Sequence, residues 1–245
     1  FLIPGIDNYD GSGRAVSGAG DVNGDGFDDL IIGASRATND TGEVYVLFGQ
    51  AGPFSSGFDL SAMDGTDGFR ITGFDLGDSG GISVSGAGDV NGDGFEDLLI
   101  GAYFGASGAN YELGETFVVF GKASGFTATI NVTTLNGANG FRLDGEVDGQ
   151  RSGREVRSAG DFNGDGFDDL LVGTQSADTA FLVFGKASGF AAALDLSTLN
   201  GSNGFQMNGY ADGAGRSVSG AGDINGDGFD DVIIGAHEVS SYAGR

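Results

Sequence analysis

Cysteine is absent from this 245-residue chain, and histidine occurs once. The first absence removes disulfides, so stability outside a cell has to come from packing and bound metal. Together the two exclude soft-metal sites and the nucleophilic triads that need a histidine base. Positive charge is scarce as well: eleven lysines and arginines stand against 35 aspartates and glutamates, a formal charge of −24. Nucleic acid and anionic membrane surfaces are excluded as partners on that ground, since both require a basic patch. No apolar run reaches membrane-spanning length and no signal peptide is visible, so direct membrane insertion is not expected. The chain starts at Phe1 without a methionine, which points to a mature portion or a fragment.

Glycine is plentiful, at 50 residues without a collagen period, and 39% hydrophobic content with 20 phenylalanines is enough for a core. The length suits one large all-β domain or part of one. Its organising feature is a ten-residue stretch that occurs four times: DVNGDGFDDL from Asp21, DVNGDGFEDL from Asp89, DFNGDGFDDL from Asp161 and DINGDGFDDV from Asp223. Spacings of 68, 72 and 62 residues mark a modular repeat array.

Each copy has oxygen side chains at positions 1, 3, 5 and 9 and glycines at 4 and 6. Calcium takes six to eight oxygens at about 2.3–2.6 Å, and a short loop supplies them only if alternate side chains turn inward while glycines allow the bend. The pattern predicts four Ca2+ sites: Asp21, Asn23, Asp25 and Asp29; Asp89, Asn91, Asp93 and Asp97; Asp161, Asn163, Asp165 and Asp169; Asp223, Asn225, Asp227 and Asp231. The carbonyls of Phe27, Phe95, Phe167 and Phe229, at position 7, are the expected backbone ligands. The competing reading is an acidic Asx-turn without metal, but four copies with the same ligand types favour the ion. An EF-hand would need Glu at position 12 and an outgoing helix. Here position 12 is Ile32, Ile100, Val172 or Ile234, inside a short apolar run that reads as a strand. EF-hand-like sites in extracellular modules bind calcium at about 10⁻⁴–10⁻³ M, which places the chain outside the cell, secreted or at its surface. Four ions would reduce the charge from −24 to −16.

Each repeat reads as four strands. Small residues precede the loop (14–20, 82–88, 154–160, 216–222), as suits a crowded axis, and the apolar run that follows is expected to be buried on both faces. The third strand ends in Phe-Gly at Phe48-Gly49, Phe120-Gly121 and Phe184-Gly185. A linker with an Asp-Leu-Ser or Asn-Val-Thr segment leads to a short fourth strand beginning at Gly68, Gly140 or Gly204, with arginines facing outward at a solvated edge. Such units are blades of an all-β β-propeller built of four-stranded antiparallel sheets.

Phe-Gly, together with Gly33-Ala34, Gly101-Ala102 and Gly235-Ala236, resembles the FG-GAP repeats of the integrin alpha-subunit propeller and of large secreted bacterial proteins. The proline of that motif is missing throughout, and the third copy has Gly173-Thr174. The resemblance implies a non-enzymatic adhesion or ligand-binding module in which the calcium loop joins the first two strands of a blade. Its ligand, protein or carbohydrate, is left open. The alternatives are an accessory or catalytic propeller of a secreted hydrolase or lyase, and a structural spacer.

The phasing assigns residues 1–9 to the outer strand of a preceding blade, 13–73, 80–145 and 153–209 to blades a, b and c, and 215–245 to an incomplete blade d. The chain is then an arc of about four blades from a seven-blade ring, with Phe1 and Arg245 on unpaired strands and Leu2-Ile3 not joined to Val232–Ile234. His237 reads as a variable loop residue. Arg14, Arg154 and Arg216 recur seven residues before the first ligand, either as an anion-binding ring or, preferably, paired with Asp10, Asp148 and Asp212. The adjacent acids Asp28-Asp29, Glu96-Asp97, Asp168-Asp169 and Asp230-Asp231 could suggest glycosidase chemistry, but recurrence in every unit reads as structure. Tyr103, Phe104, Tyr111 and Tyr242 are candidates for recognition or for local packing of variable turns.

Overall fold

The computed structural model describes residues 2–54, 56–105, 112–209 and 213–237. Phe1, Tyr111, Asp212, Tyr242 and Arg245, named above, lie outside the described residues. Blade a is the antiparallel meander β1 (Ser12–Gly20), β2 (Asp29–Ala34), β3 (Glu43–Leu47) and β4 (Gly68–Thr72). Blade b repeats it with β5 (Ser83–Gly88), β6 (Asp97–Ala102), β7 (Glu115–Val119) and β9 (Gly140–Asp144). Blade c uses β10 (Ser152–Gly160), β11 (Asp169–Thr174), β12 (Thr179–Val183) and β14 (Gly204–Asn208), and β15 (Ser217–Gly222) pairs with β16 (Asp231–Gly235) in a two-stranded fourth sheet. The register repeats with the sequence: Val16, Ile32, Tyr45 and Arg70 line up across blade a, as Val84, Ile100, Phe117 and Arg142 do across blade b. These are the sheets of a partial β-propeller, with the small-residue strands β1, β5, β10 and β15 side by side.

The core lies between blades. Alternate residues of β2 and β3 face opposite ways, so Ile31, Val44 and Val46 pack against Val84, Leu98, Ile100 and Phe117 of blade b, while Ile32 and Tyr45 pack on the other face with Leu60, Met63 and Ile3. β6 and β11 are buried along their whole length, as expected of strands covered on both faces. In the outer sheets the same pattern is only partly covered: Val16 is 65% and Ile233 56% exposed.

One expectation is corrected. The fourth strand is not the solvated edge of blades a and b, because the linker segments form strands of their own. β8 (Thr129–Asn131) pairs in parallel with β4, and β13 (Ala193–Asp195) with β9, each followed by a single 3-10 turn, where the Asn131 side chain accepts from the Thr133 amide and that of Asp195 from Ser197. Each blade thus lends a strand to its predecessor, and Arg70 and Arg142 sit over acids of their own blade, Glu43 for the former and Glu115 and Asp144 for the latter. The amide of Phe58 donates to the carbonyl of Leu2 at 3.1 Å, and among the described residues β16 pairs with β15 alone.

Candidate metal centre

In every blade the inner strand ends in a bulge: the register jumps from Gly18 to Gly20, Gly86 to Gly88, Ser158 to Gly160 and Gly220 to Gly222. The second glycine of each pair takes a φ between 64° and 78°, which an L side chain rarely adopts, and this swings the chain into the acidic loop.

Inside the loop the four copies build one network. Asp21 Oδ1 accepts from the amide of Asp25 at 3.0 Å and its Oδ2 from Gly26 at 2.8 Å. Asn23 Oδ1 accepts from the same Asp25 amide at 2.8 Å, and Asp25 Oδ1 from Phe27 at 2.9 Å. Asp89, Asn91 and Asp93 repeat these bonds, as do Asp161, Asn163 and Asp165, and Asp223, Asn225 and Asp227. The loop amides therefore gather the oxygens of positions 1, 3 and 5 around one turn. Position 9 closes the loop from below: Asp29 Oδ2 accepts from Val22 and Oδ1 from Gly49, the glycine of Phe-Gly, at 2.9 and 2.8 Å. Asp97 holds Val90 and Gly121 in the same way, and Asp169 holds Phe162 and Gly185, whereas Asp231 holds Ile224.

Asp29, Asp97 and Asp169 are fully buried. Burial pushes their carboxyls up, to about 6, about 8 and about 7, and the carboxylates at positions 1 and 5 push in the same direction against the lowering effect of the backbone hydrogen bonds. No ion pair among the described residues reaches these loops. The donor set consists only of oxygens. Oδ1 of Asp89, Asp161 and Asp223 accepts from two amides, but Oδ2 of each accepts one backbone bond and keeps a lone pair, and the position 7 carbonyls of Phe27, Phe95, Phe167 and Phe229 accept no hydrogen bond from the described residues. These features fit a hard cation. Among the described residues no three acidic or histidine side chains by themselves form a cage for an ion, so the amide and carbonyl oxygens of positions 3 and 7 are needed to complete one.

Sequence reasoning missed what positions 7 and 8 do with their side chains. The Phe95 ring lies over Gly24 of the preceding loop, Phe167 over Gly92 and Phe229 over Gly164, so closely that a Cβ on any of these glycines would collide with the ring. At position 8, Asp168 Oδ2 accepts from the Asp89 amide at 2.7 Å and Asp230 Oδ2 from Asp161 at 2.9 Å, while their own amides donate back to the carbonyls of Asp89 and Asp161. Glu96 sits on Gly20 and donates its amide to the Asp21 carbonyl. The recurrence of Phe-acid in all four copies was the available signal. From the second copy onward the paired acids are thus divided in labour, Glu96, Asp168 and Asp230 joining blades and the other acid closing its own loop.

On the opposite end of the strands, Arg14 and Arg154 do not form the expected pairs with Asp10 and Asp148, and Asp212, the expected partner of Arg216, lies outside the described residues. Asp10 is spent on the amides of Ile6, Asp7 and Ser12, and neither Arg14 nor Arg154 makes an ion pair with a described residue. Arg154 lies over the Tyr103 ring, and Arg216 reaches the Gln175 carbonyl and His237 Nε2 at 2.9 and 3.0 Å.

The FG-GAP repeat family matches residues 12–47, 80–119, 158–194 and 214–245, more than half of the chain. Integrin alpha-5 of Xenopus laevis is 31% identical over 182 residues, 71% of this chain and 16% of its own length. Human integrin alpha-7 is 33% identical over 180 residues, 69% of this chain and 13% of its own. Integrin alpha pat-2 of Caenorhabditis elegans is 27% identical over 247 residues, 98% of this chain and 19% of its own. The chain therefore spans less than a fifth of the length of these relatives.

Proposed function

The chain belongs to the FG-GAP repeat family, and from that premise we propose that it is a calcium-stabilised, non-enzymatic propeller module serving adhesion at a cell surface or in a secreted protein, as part of a seven-blade ring. The adhesive role is taken from its likeness to integrin alpha chains. One observation carries the calcium reading: the same oxygen network occurs four times, three of its position 9 carboxylates are buried, and among the described residues no positive side chain pairs with them.

In the first loop Asp21, Asn23, Asp25, the Phe27 carbonyl and Asp29 would hold the ion, and the corresponding residues do so in the other three. Calcium supplies there the positive charge that the loops lack. The chain's own residues do the rest: the bulge glycines set the loop's entry, the loop amides orient the oxygens, and Asp29, Asp97 and Asp169 tie each loop to the Phe-Gly turn of its blade. Since the position 8 acids join loop to loop, order in one loop supports the next. Of the adjacent acids that could have formed a hydrolytic pair, Asp29, Asp97, Asp168, Asp169, Asp230 and Asp231 are engaged by backbone amides, which supports a non-enzymatic role.

With free calcium near 1 mM and a dissociation constant near 10⁻⁴ M, each site stabilises the fold by about 1.4 kcal/mol. Titration calorimetry on the calcium-free chain is expected to give four sites. Asp25→Ala should leave three and lower the melting temperature in calcium. An unchanged stoichiometry in that variant would remove the assignment.

A further inference from the structure

At the end of the strands away from the acidic loops, the turns of blades a and b line an open cavity of about 570 Å³. Arg14 and Arg36 line it from blade a, and Tyr103 and Phe104 from blade b. The two rings are in contact, centroids 4.0 Å apart, and are held between two guanidinium groups: Arg151 Cζ lies 5.0 Å from the Phe104 centroid and Arg154 Cζ 5.8 Å from that of Tyr103. Arg151 is itself fixed by Glu112, whose Oε2 accepts from both Nε and Nη2 at 3.0 and 2.7 Å. The aromatic wall is thus built and braced. In a chain of charge −24, Arg14, Arg36, Arg151 and Arg154 are four of only eleven positive side chains, yet they gather here. Neither Arg14 nor Arg36 has an acidic partner among the described residues.

We infer that this cavity binds an acidic saccharide, with the carboxylate or sulfate between Arg14 and Arg36 and a sugar face on the Tyr103–Phe104 wall. The guanidinium fork suits a planar carboxylate or a sulfate, and the aromatic rings offer the apolar surface on which a sugar's C–H face can lie. Asp40, Ser35 and Ser79 also line the cavity and offer acceptors and donors for hydroxyls, which a saccharide carries beside its anionic group and a glutamate peptide lacks. A cavity of this volume falls within the roughly 300–1,000 Å³ of small-ligand sites.

Calorimetric titration of the whole chain at fixed free calcium tests the inference, with four probes: a galacturonate tetrasaccharide, a sulfated tetrasaccharide, a neutral galactose tetrasaccharide and tetraglutamate. Binding of one or both acidic saccharides is expected, and which one binds identifies the anionic group. The Arg14→Ala/Arg36→Ala double variant should bind at least about tenfold more weakly, and Tyr103→Ala severalfold more weakly. Both arginines are exposed, so the double variant should keep its calcium stoichiometry and its melting temperature in calcium, which separates this test from that of the metal sites. The inference is overturned if neither acidic saccharide binds, if the neutral saccharide or tetraglutamate binds as tightly, or if the double variant binds undiminished.

Discussion

Glu115 shows how much this chain asks of single buried acids. It stands at the start of β7 with its side chain almost wholly covered, and burial pushes its carboxyl up from 4.5 to about 7 although Arg142 lies 3.6 Å away and pulls the other way. A carboxyl raised by folding contributes stability that is fully present below its unfolded value and is lost as pH rises through its folded value. Between about pH 4.5 and 7 this residue therefore withdraws on the order of 3 kcal/mol. Asp78, raised to about 6 by burial, acts in the same direction. In saturating calcium, the urea midpoint is expected to fall from pH 5 to pH 8, and Glu115→Gln should reduce that fall. An identical pH slope in the variant would show that Glu115 is not the group responsible.

At the scale of the element, the acidic loop is a joint between blades as well as the proposed calcium site. Gly92 and Gly94 lie in the same loop with similar φ, 73° and 88°, yet a Cβ on Gly92 would strike the Phe167 ring of the next blade while one on Gly94 meets nothing. Gly94→Ala should cost about 1 kcal/mol for its backbone conformation alone. Gly92→Ala adds the displaced ring and should cost about 2–4 kcal/mol. Guanidinium denaturation at fixed calcium measures both, and equal losses would rule out the ring contact as the reason for glycine at position 4. The borrowed strands β8 and β13 act at the outer edge as the loops do at the inner end, so consecutive blades are fastened at both.

The whole molecule carries its negative charge in a repeating pattern, and that pattern decides how it should respond to ions. Three carboxylates per loop concentrate charge at one end of the strands, where a divalent cation offsets more repulsion than dilute salt does. All-oxygen loops of irregular geometry should favour calcium over magnesium, which demands near-octahedral coordination and gives up water reluctantly. The melting temperature is therefore expected to rise more in calcium than in an equal concentration of magnesium. Equal increments would count against the loop geometry.

Much of this was legible in the residues because the repeat states each local rule four times. Alternating oxygens and glycines specified the loop, a glycine-terminated apolar run specified the strand, and together they led to the blade and to its family, since hydrogen bonds within ten residues and side-chain alternation along a strand are local properties. Contacts between distant segments could not be read in this way. That Phe95 covers Gly24, that Asp168 holds the Asp89 amide, that Thr129–Asn131 joins the sheet of the preceding blade and that Tyr103 and Phe104 face Arg14 across a cavity all depend on how one blade lies against the next. Those partners stand dozens of residues apart, and only packing of the sheets brings them within reach.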